Sequence, residues 1–267
     1  MLALVLSAAV ALVQVPAPAD DPVRARLEHS PRHHEWLEIE SGGRAVRTFV
    51  AYPEVKAKVQ AVLVIHENKG LNDWARSVAD RLAEAGYVAL APDLLSGFGP
   101  EVDGKRGGTE SFASPDAATK AIYALDAATV LADLDAVAAA ARALPACDGR
   151  LSVAGFCWGG SRSFEYATHG KDLVAAYVFY GSAPADEALA RIGCPVFGFY
   201  GERDARISAG IEATTAAMKA AGKRYEPVTY PGAGHGFLRA GEASDASPEN
   251  RRAFEEAWTR WKDLLAR

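Results

Sequence analysis

The chain has 267 residues, 49% of them apolar and 24% charged, with a formal net charge of -5. A chain of this length can bury a full core, and a single α/β domain is the expected organisation. The basic residues are scattered and outnumbered, which excludes the positive footprint of a nucleic-acid binder and leaves a small molecule as the expected substrate.

Met1 to Val13 is almost wholly apolar, and Ala17-Pro18-Ala19 has the small-x-small form of a signal-peptidase site. Residues 1–19 therefore read as an export signal cleaved after Ala19, placing the mature protein in a periplasm or outside the cell. The alternative is a buried N-terminal helix, because no Lys or Arg precedes the apolar run. That run is shorter than the ~20 residues of a membrane span, so no stable membrane insertion is expected after cleavage. Residues 20–34 read as a polar, poorly ordered tether without periodicity, and residues 35–267 as the folded domain.

His34–Glu40 and Arg44–Tyr52 flank Ser41-Gly42-Gly43 and predict an antiparallel hairpin at the sheet edge. Short apolar runs then alternate with helical patterns. The runs are Ala61–Ile65, Val88–Ala91, Leu151–Gly155, Ala175–Tyr180, Val196–Tyr200 and Tyr225–Thr229; the helical stretches are Trp74–Ala85, Asp116–Leu144, Trp158–Thr168, Ser208–Ala221 and Pro248–Leu265. Continuous apolar strands between helices indicate a mostly parallel central sheet covered on both faces. Ser96–Pro115 has no apolar period and is expected to overhang the site, carrying Phe98 and Phe112, with a plain surface excursion as the rival reading.

In such sheets the site lies beyond the carboxyl ends of the strands. Cys157 follows one strand within Gly155-Phe156-Cys157-Trp158-Gly159, a strand-to-helix elbow that exposes a nucleophile and aims helix N–H groups at any anion formed there. Asp204 follows the next-but-one strand in Gly201-Glu202-Arg203-Asp204, and His235 follows the last in Gly234-His235-Gly236-Phe237. Nucleophile, acid, histidine is the chain order of the α/β-hydrolase triad. Each residue has a plainer reading. Cys157 could be a small buried hydrophobe, His235 a loop residue, Asp204 a turn cap or partner of Arg203 or Arg206, and Glu67 a surface carboxylate paired with Lys69.

Together with the early Glu67, these motifs resemble the dienelactone hydrolases over about Trp36 to Leu265. The resemblance implies an α/β-hydrolase fold and a Cys157-His235-Asp204 triad. It also implies a Glu67 carboxylate that contacts the resting thiol and withdraws when substrate binds. The backbone N–H groups of Trp158 and Asn68 would form the oxyanion hole. Arg239 would hold a substrate carboxylate, with Phe237 and Trp158 as further substrate-binding residues. A second carboxylate-binding arginine would fall near Pro115, where proline cannot serve, leaving Lys105, Arg106 or Lys120 as substitutes.

In this topology the strands following Cys147 and Cys194 are expected to be neighbours about 4.8 Å apart, so a disulfide is open to them and Cys157 would remain unpaired. Among His66, His169 and the group His29, His33, His34, the i, i+4 pair His29 and His33 would suit a metal on a helix, but no Cys, Asp or Glu cluster completes a site and the segment lies beside the tether, so neither metal nor cofactor is expected. The reading is an exported, monomeric carboxylic-ester or lactone hydrolase that works through a thioester, with substrate entering under Ser96–Pro115. The alternatives are another esterase or thioesterase of the same fold, a serine-type lipase or cutinase-like role disfavoured by Cys157, and a non-catalytic envelope-binding protein.

Overall fold

A computed structural model describes residues 22–267, so the export signal expected at residues 1–19 lies outside the described residues. Helix α1 (Pro22–His29) leads into the hairpin strands β1 (His34–Ser41) and β2 (Arg44–Ala51). Then come β3 (Val59–Ile65), α2 (Asp73–Glu84), β4 (Val88–Pro92), the small hairpin β5 (Glu101–Val102) and β6 (Lys105–Arg106), α3 (Pro115–Ala124) and α4 (Ala127–Ala143). The chain continues through β7 (Cys147–Phe156), α5 (Trp158–Ala167), β8 (Leu173–Phe179), α6 (Asp186–Leu189), β9 (Val196–Gly201), α7 (Ala205–Ser208) and α8 (Ile211–Ala220). It ends with β10 (Tyr225–Tyr230), α9 (Phe237–Ala240) and α10 (Pro248–Leu265).

Eight strands form the main sheet in the order β1-β2-β4-β3-β7-β8-β9-β10. From β4 to β10 all neighbours run parallel. The β1–β2 hairpin is antiparallel and forms one edge, its turn closed by Ser41 opposite Arg44 with Gly42 and Gly43 both at positive φ. Alternate side chains of β3 enter opposite cores. Leu63 and Ile65 pack with Leu134 and Val137 of α4 and Phe164 of α5, whereas Val62 and Val64 pack with Trp74 and Val78 of α2 and Trp261 of α10. Both faces are thus covered, as continuous apolar strands require.

The structure corrects four expectations. The first concerns residues 20–34. Their described part is a helix and a linker tied to a buried anion rather than a loose tether. Val23 and Leu27, spaced i, i+4, pack against the α2/α10 core, while Arg26, Ser30, Arg32 and His34 all bond to the Asp80 carboxylate, which is fully buried. Burial alone would push the Asp80 carboxyl up, but these hydrogen bonds hold it well below the usual carboxylate range.

The second concerns Asp116–Leu144, which is two helices. Leu125 is extended at ψ 132, and the Asp126 side chain caps α4 by accepting the Thr129 N–H at 3.0 Å. An Asx cap competes with helix continuation and opens a joint.

The third concerns Ser96–Pro115, which folds against the β2/β4 side of the sheet. Arg44 donates to the Ser96 carbonyl at 2.6 Å, Thr109 bonds through both its N–H and hydroxyl to Asp93, and Gly97 and Gly99 both donate to the Gly107 carbonyl. Phe98 lies under Arg44, and Phe112 packs onto the core.

The fourth concerns the disulfide. Strand β8 intervenes between β7 and β9, so the strands that carry or follow Cys147 and Cys194 are two spacings apart, about 9.6 Å, beyond the ~7 Å limit for bridging. All three cysteines are free, and burial pushes the Cys194 thiol up to about 11.

Candidate active site

The turn from β7 into α5 places Cys157 at φ 56, ψ -115, with its N–H donating to the Phe179 carbonyl at 3.0 Å. Left-handed backbone at a non-glycine residue is strained, and the surroundings hold it there. A Cβ on Gly155 would lie 1.9 Å from the Gly159 carbonyl oxygen, and one on Gly159 would lie 2.3 Å from that of His66. Only glycine lets the strand, the elbow and the end of β3 approach this closely.

His235 follows β10 and Asp204 follows β9, and the fold brings both to the elbow. His235 Nδ1 lies 2.5 Å from Asp204 Oδ2, and Nε2 lies 3.1 Å from Cys157 Sγ. Because a carboxylate only accepts, Nδ1 carries a proton. The hydrogen bond to Cys157 raises the His235 pKa most, burial opposes it, and the bond to Asp204 adds, leaving it at about 9. Asp204 is buried and its side chain does not cap α7, so the turn-cap reading falls away.

Glu67 is neither on the thiol nor on the surface. It is 5% exposed; its Oε2 accepts from Arg239 Nε at 2.8 Å and its Oε1 from the Tyr180 hydroxyl at 3.3 Å. Both the thiol contact and the Lys69 pairing are therefore corrected: among the described residues, the cation that pairs with this buried carboxylate is Arg239, 172 residues away. Arg239, expected to hold a substrate carboxylate, is instead paired with Glu67. Phe237 is fully buried beneath Tyr180 and Tyr230, at ring distances of 5.5 and 5.1 Å, and is a core residue rather than a substrate contact.

A cavity of about 340 Å³ opens at Cys157. Ile122, Tyr123, Leu125 and Val130 from the α3–α4 joint supply an apolar wall, and Trp158, Ser161, Ser182, Arg162 and Arg206 supply the rest. No residue of Ser96–Pro115 lines it, nor do Lys105, Arg106, Lys120, Arg239 or Phe237. The cations here are Arg162, paired with Glu165 and lying over Trp158, and Arg206, which has no ion pair among the described residues. The sequence signal for this wall was the Asp126 cap, hidden within an alanine-rich helical stretch.

Trp158 opens α5, so its N–H is a first-turn donor without an intrahelical acceptor. Asn68 occupies the first central position of a turn in which Gly70 N–H donates to the Glu67 carbonyl at 3.2 Å. The two stretches touch, since Gly159 packs on the His66 carbonyl and the rings of His66 and Trp158 stack at 5.7 Å.

With this geometry in place, comparison with known proteins places the chain. The model of the dienelactone hydrolase family matches residues 46–267. The chain belongs to the dienelactone hydrolase family. A Salmonella typhimurium relative named "Putative carboxymethylenebutenolidase" is 32% identical over 237 residues, covering 83% of this chain and 85% of that protein. A Saccharolobus solfataricus relative of the same name is 32% identical over 257 residues, covering 85% and 96%. The crystal structure of a "Putative Dienelactone Hydrolase" from Klebsiella pneumoniae superposes with a TM-score of 0.76 at 28% identity, covering 89% of this chain and all of that one. As a member of this family the chain is a hydrolase of ester or lactone bonds in small molecules, on an α/β-hydrolase fold. Among the described residues, no helix is long and apolar enough to cross a membrane.

Proposed function

We propose that the chain is an exported, monomeric hydrolase of small carboxylic esters or lactones that acts by covalent catalysis at Cys157. The observation that carries this reading is the hydrogen-bonded chain Sγ–Nε2 at 3.1 Å and Nδ1–Oδ2 at 2.5 Å, set at the mouth of the cavity. Cys157 sulfur attacks the substrate carbonyl with its proton held on His235, the carbonyl π electrons move to oxygen, and the N–H groups of Trp158 and Asn68 receive the oxyanion. The intermediate collapses to a thioester as the alkoxide leaves with the proton from His235 Nε2. Acylated sulfur no longer raises the His235 pKa, and that hydrogen bond is its largest raising cause. The imidazole therefore becomes a base at neutral pH, takes a proton from water and releases the acid. Asp204 orients the ring throughout.

Alkoxides and thiolates leave more readily than amines, so esters, lactones and thioesters are expected substrates in preference to amides. The relatives' name makes a carboxylate-bearing butenolide one candidate. Its carboxylate would meet Arg162 and Arg206 in the cavity, whereas reaching Arg239 would require displacing Glu67. Export rests on Met1–Val13 and Ala17-Pro18-Ala19.

The test is hydrolysis of a panel of aryl esters, lactones and thioesters, with and without a carboxylate. Cys157→Ala and His235→Ala should each fall to near background, because groups acting as one unit lose most of their effect together. Rates within about threefold of the parent in either variant would remove the triad from the mechanism.

A further inference from the structure

We infer that His66 is a positioning residue for oxyanion binding, its ring setting the donors contributed by Asn68 and Trp158. The inference rests on the reading of those two N–H groups given above. His66 follows β3 and is completely buried. Its Nδ1 lies 2.8 Å from the Glu67 carbonyl oxygen, and its Nε2 faces the Leu94 N–H at 3.4 Å. A neutral imidazole has one donor and one acceptor. Leu94 can only donate and the Glu67 carbonyl can only accept, so the two contacts agree on the tautomer with the proton on Nδ1.

The Glu67 carbonyl and the Asn68 N–H belong to one planar trans peptide and point in opposite directions. A donor that holds the carbonyl therefore holds the N–H. Gly70 N–H is the second donor to the same oxygen, and its positive φ of 79 closes that turn. On its face, the His66 ring stacks against Trp158 with an interplanar angle of 13°, and the Trp158 backbone supplies the other donor. One buried ring thus spans both halves of the anion site and lines no part of the cavity at Cys157. A histidine that merely filled the core would need neither the fixed tautomer nor the bond to this particular carbonyl.

The variants His66→Asn and His66→Gln separate the two contacts. Asn carries a donor near the place of Nδ1; Gln can offer its oxygen to Leu94 but has no donor near Glu67. Three readings are made on the full chain: aryl-ester kinetics, affinity for an aromatic aldehyde, and the rate of Cys157 alkylation by iodoacetamide. The aldehyde forms a thiohemiacetal, in which the sulfur–carbon bond forms, the carbonyl π bond breaks and the thiol proton passes to oxygen, so the new oxygen occupies the anion site. Alkylation displaces iodide from a saturated carbon and makes no oxyanion.

His66→Gln should lower kcat at least about tenfold with KM within about threefold, weaken the aldehyde by a similar factor, and leave alkylation within about twofold. His66→Asn should stay within about threefold of the parent in all three. Full activity in His66→Gln, equal damage in both variants, or a matching fall in alkylation would overturn the inference. Should His66→Gln fail to fold, 15N NMR of the parent protein decides: the proton must sit on His66 Nδ1, and an Nε2–H tautomer refutes it. A parent protein that binds no aldehyde refutes it as well. A parent that binds aldehyde but cleaves no ester would instead defeat the proposed hydrolase reading, with the aldehyde affinities still ranking the His66 variants.

Discussion

Replacing Arg239 by Gln tests whether Glu67 is held by Arg239 or stands guard over the thiol. Arg239 Nε and Glu67 Oε2 are 2.8 Å apart, with side-chain exposures of 44% and 6%. Unit charges about 4 Å apart attract by about 1 kcal/mol in water and about 4 kcal/mol at an effective dielectric of ~20. With the guanidinium nearly half exposed, solvent screening brings the pair to about 2 kcal/mol, and the lost charge-assisted hydrogen bond adds about 1 kcal/mol. Tyr180, at 3.3 Å, is the hydrogen-bond partner that remains. Arg239→Gln should therefore cost about 2–3 kcal/mol, a fall in Tm of about 4–12 °C for a domain of this size. Glu67→Gln should cost less, because its amide can keep one bond to Tyr180. The double variant should be less damaged than the sum of the singles, with a coupling of about 2 kcal/mol in a urea-unfolding cycle at pH 7. Coupling below about 0.5 kcal/mol would refute the pairing. Alkylation of Cys157 should be unchanged in Glu67→Gln. Faster alkylation there would return Glu67 to the thiol.

Two further predictions follow from the environments of the other titrating groups. His235 should titrate by NMR at about 9 and fall toward 6.5 in Cys157→Ser, since the contact with Cys157 is its largest raising cause. A raised folded-state value means that its contribution to stability is complete below about 6.5 and is lost as the pH climbs through about 9; a His235 that titrates at 6.5 in the parent would refute the Cys157 contact. Thiol titration of the unfolded, non-reduced protein should find all three cysteines free, whereas the native protein should react at Cys157 alone because Cys147 and Cys194 are buried. A linked Cys147–Cys194 peptide would show that the strand order places them differently.

The elbow was legible because its chemistry is local. Gly155, Cys157 and Gly159 lie within one turn of chain, and the contact that forbids a side chain at Gly155 arises within that turn, although the one at Gly159 comes from the end of β3. Asp204 and His235 were legible for a related reason: a parallel sheet gathers its strand ends, so residues just past β9 and β10 must meet near the end of β7. The disulfide expectation failed on the same sheet, because adjacency of strands is a property of topology and β8 inserts between the two that matter. The break at Leu125–Asp126 was lost among alanines, whose high helix propensity supports helix on both sides of the joint. The N-terminal segment misled in the opposite way. Its stabilising partner, Asp80, lies in α2 and cannot be inferred from residues 20–34 themselves.

Glu67 marks where sequence reasoning gives out. Its position after β3 placed it at the site, and the sequence offered it a thiol or Lys69 as partner, while the arginine that holds it was assigned to a substrate carboxylate. The choice is made by burial. At 5% exposure an unpaired carboxylate would be costly, so the position demands a fixed donor, and Arg239 on α9 supplies it with Tyr180 completing the shell. The same pairing bears on substrate choice. An arginine already neutralised by a buried carboxylate attracts a substrate anion less than a free one, while Arg206 faces the cavity with its charge uncompensated among the described residues. Discrimination between charged and neutral esters should accordingly depend more on Arg206 than on Arg239, and KM for a carboxylate-bearing ester is the quantity that tells them apart. A rise in that KM in Arg239→Gln, with none in Arg206→Gln, would mean that substrate displaces Glu67 after all.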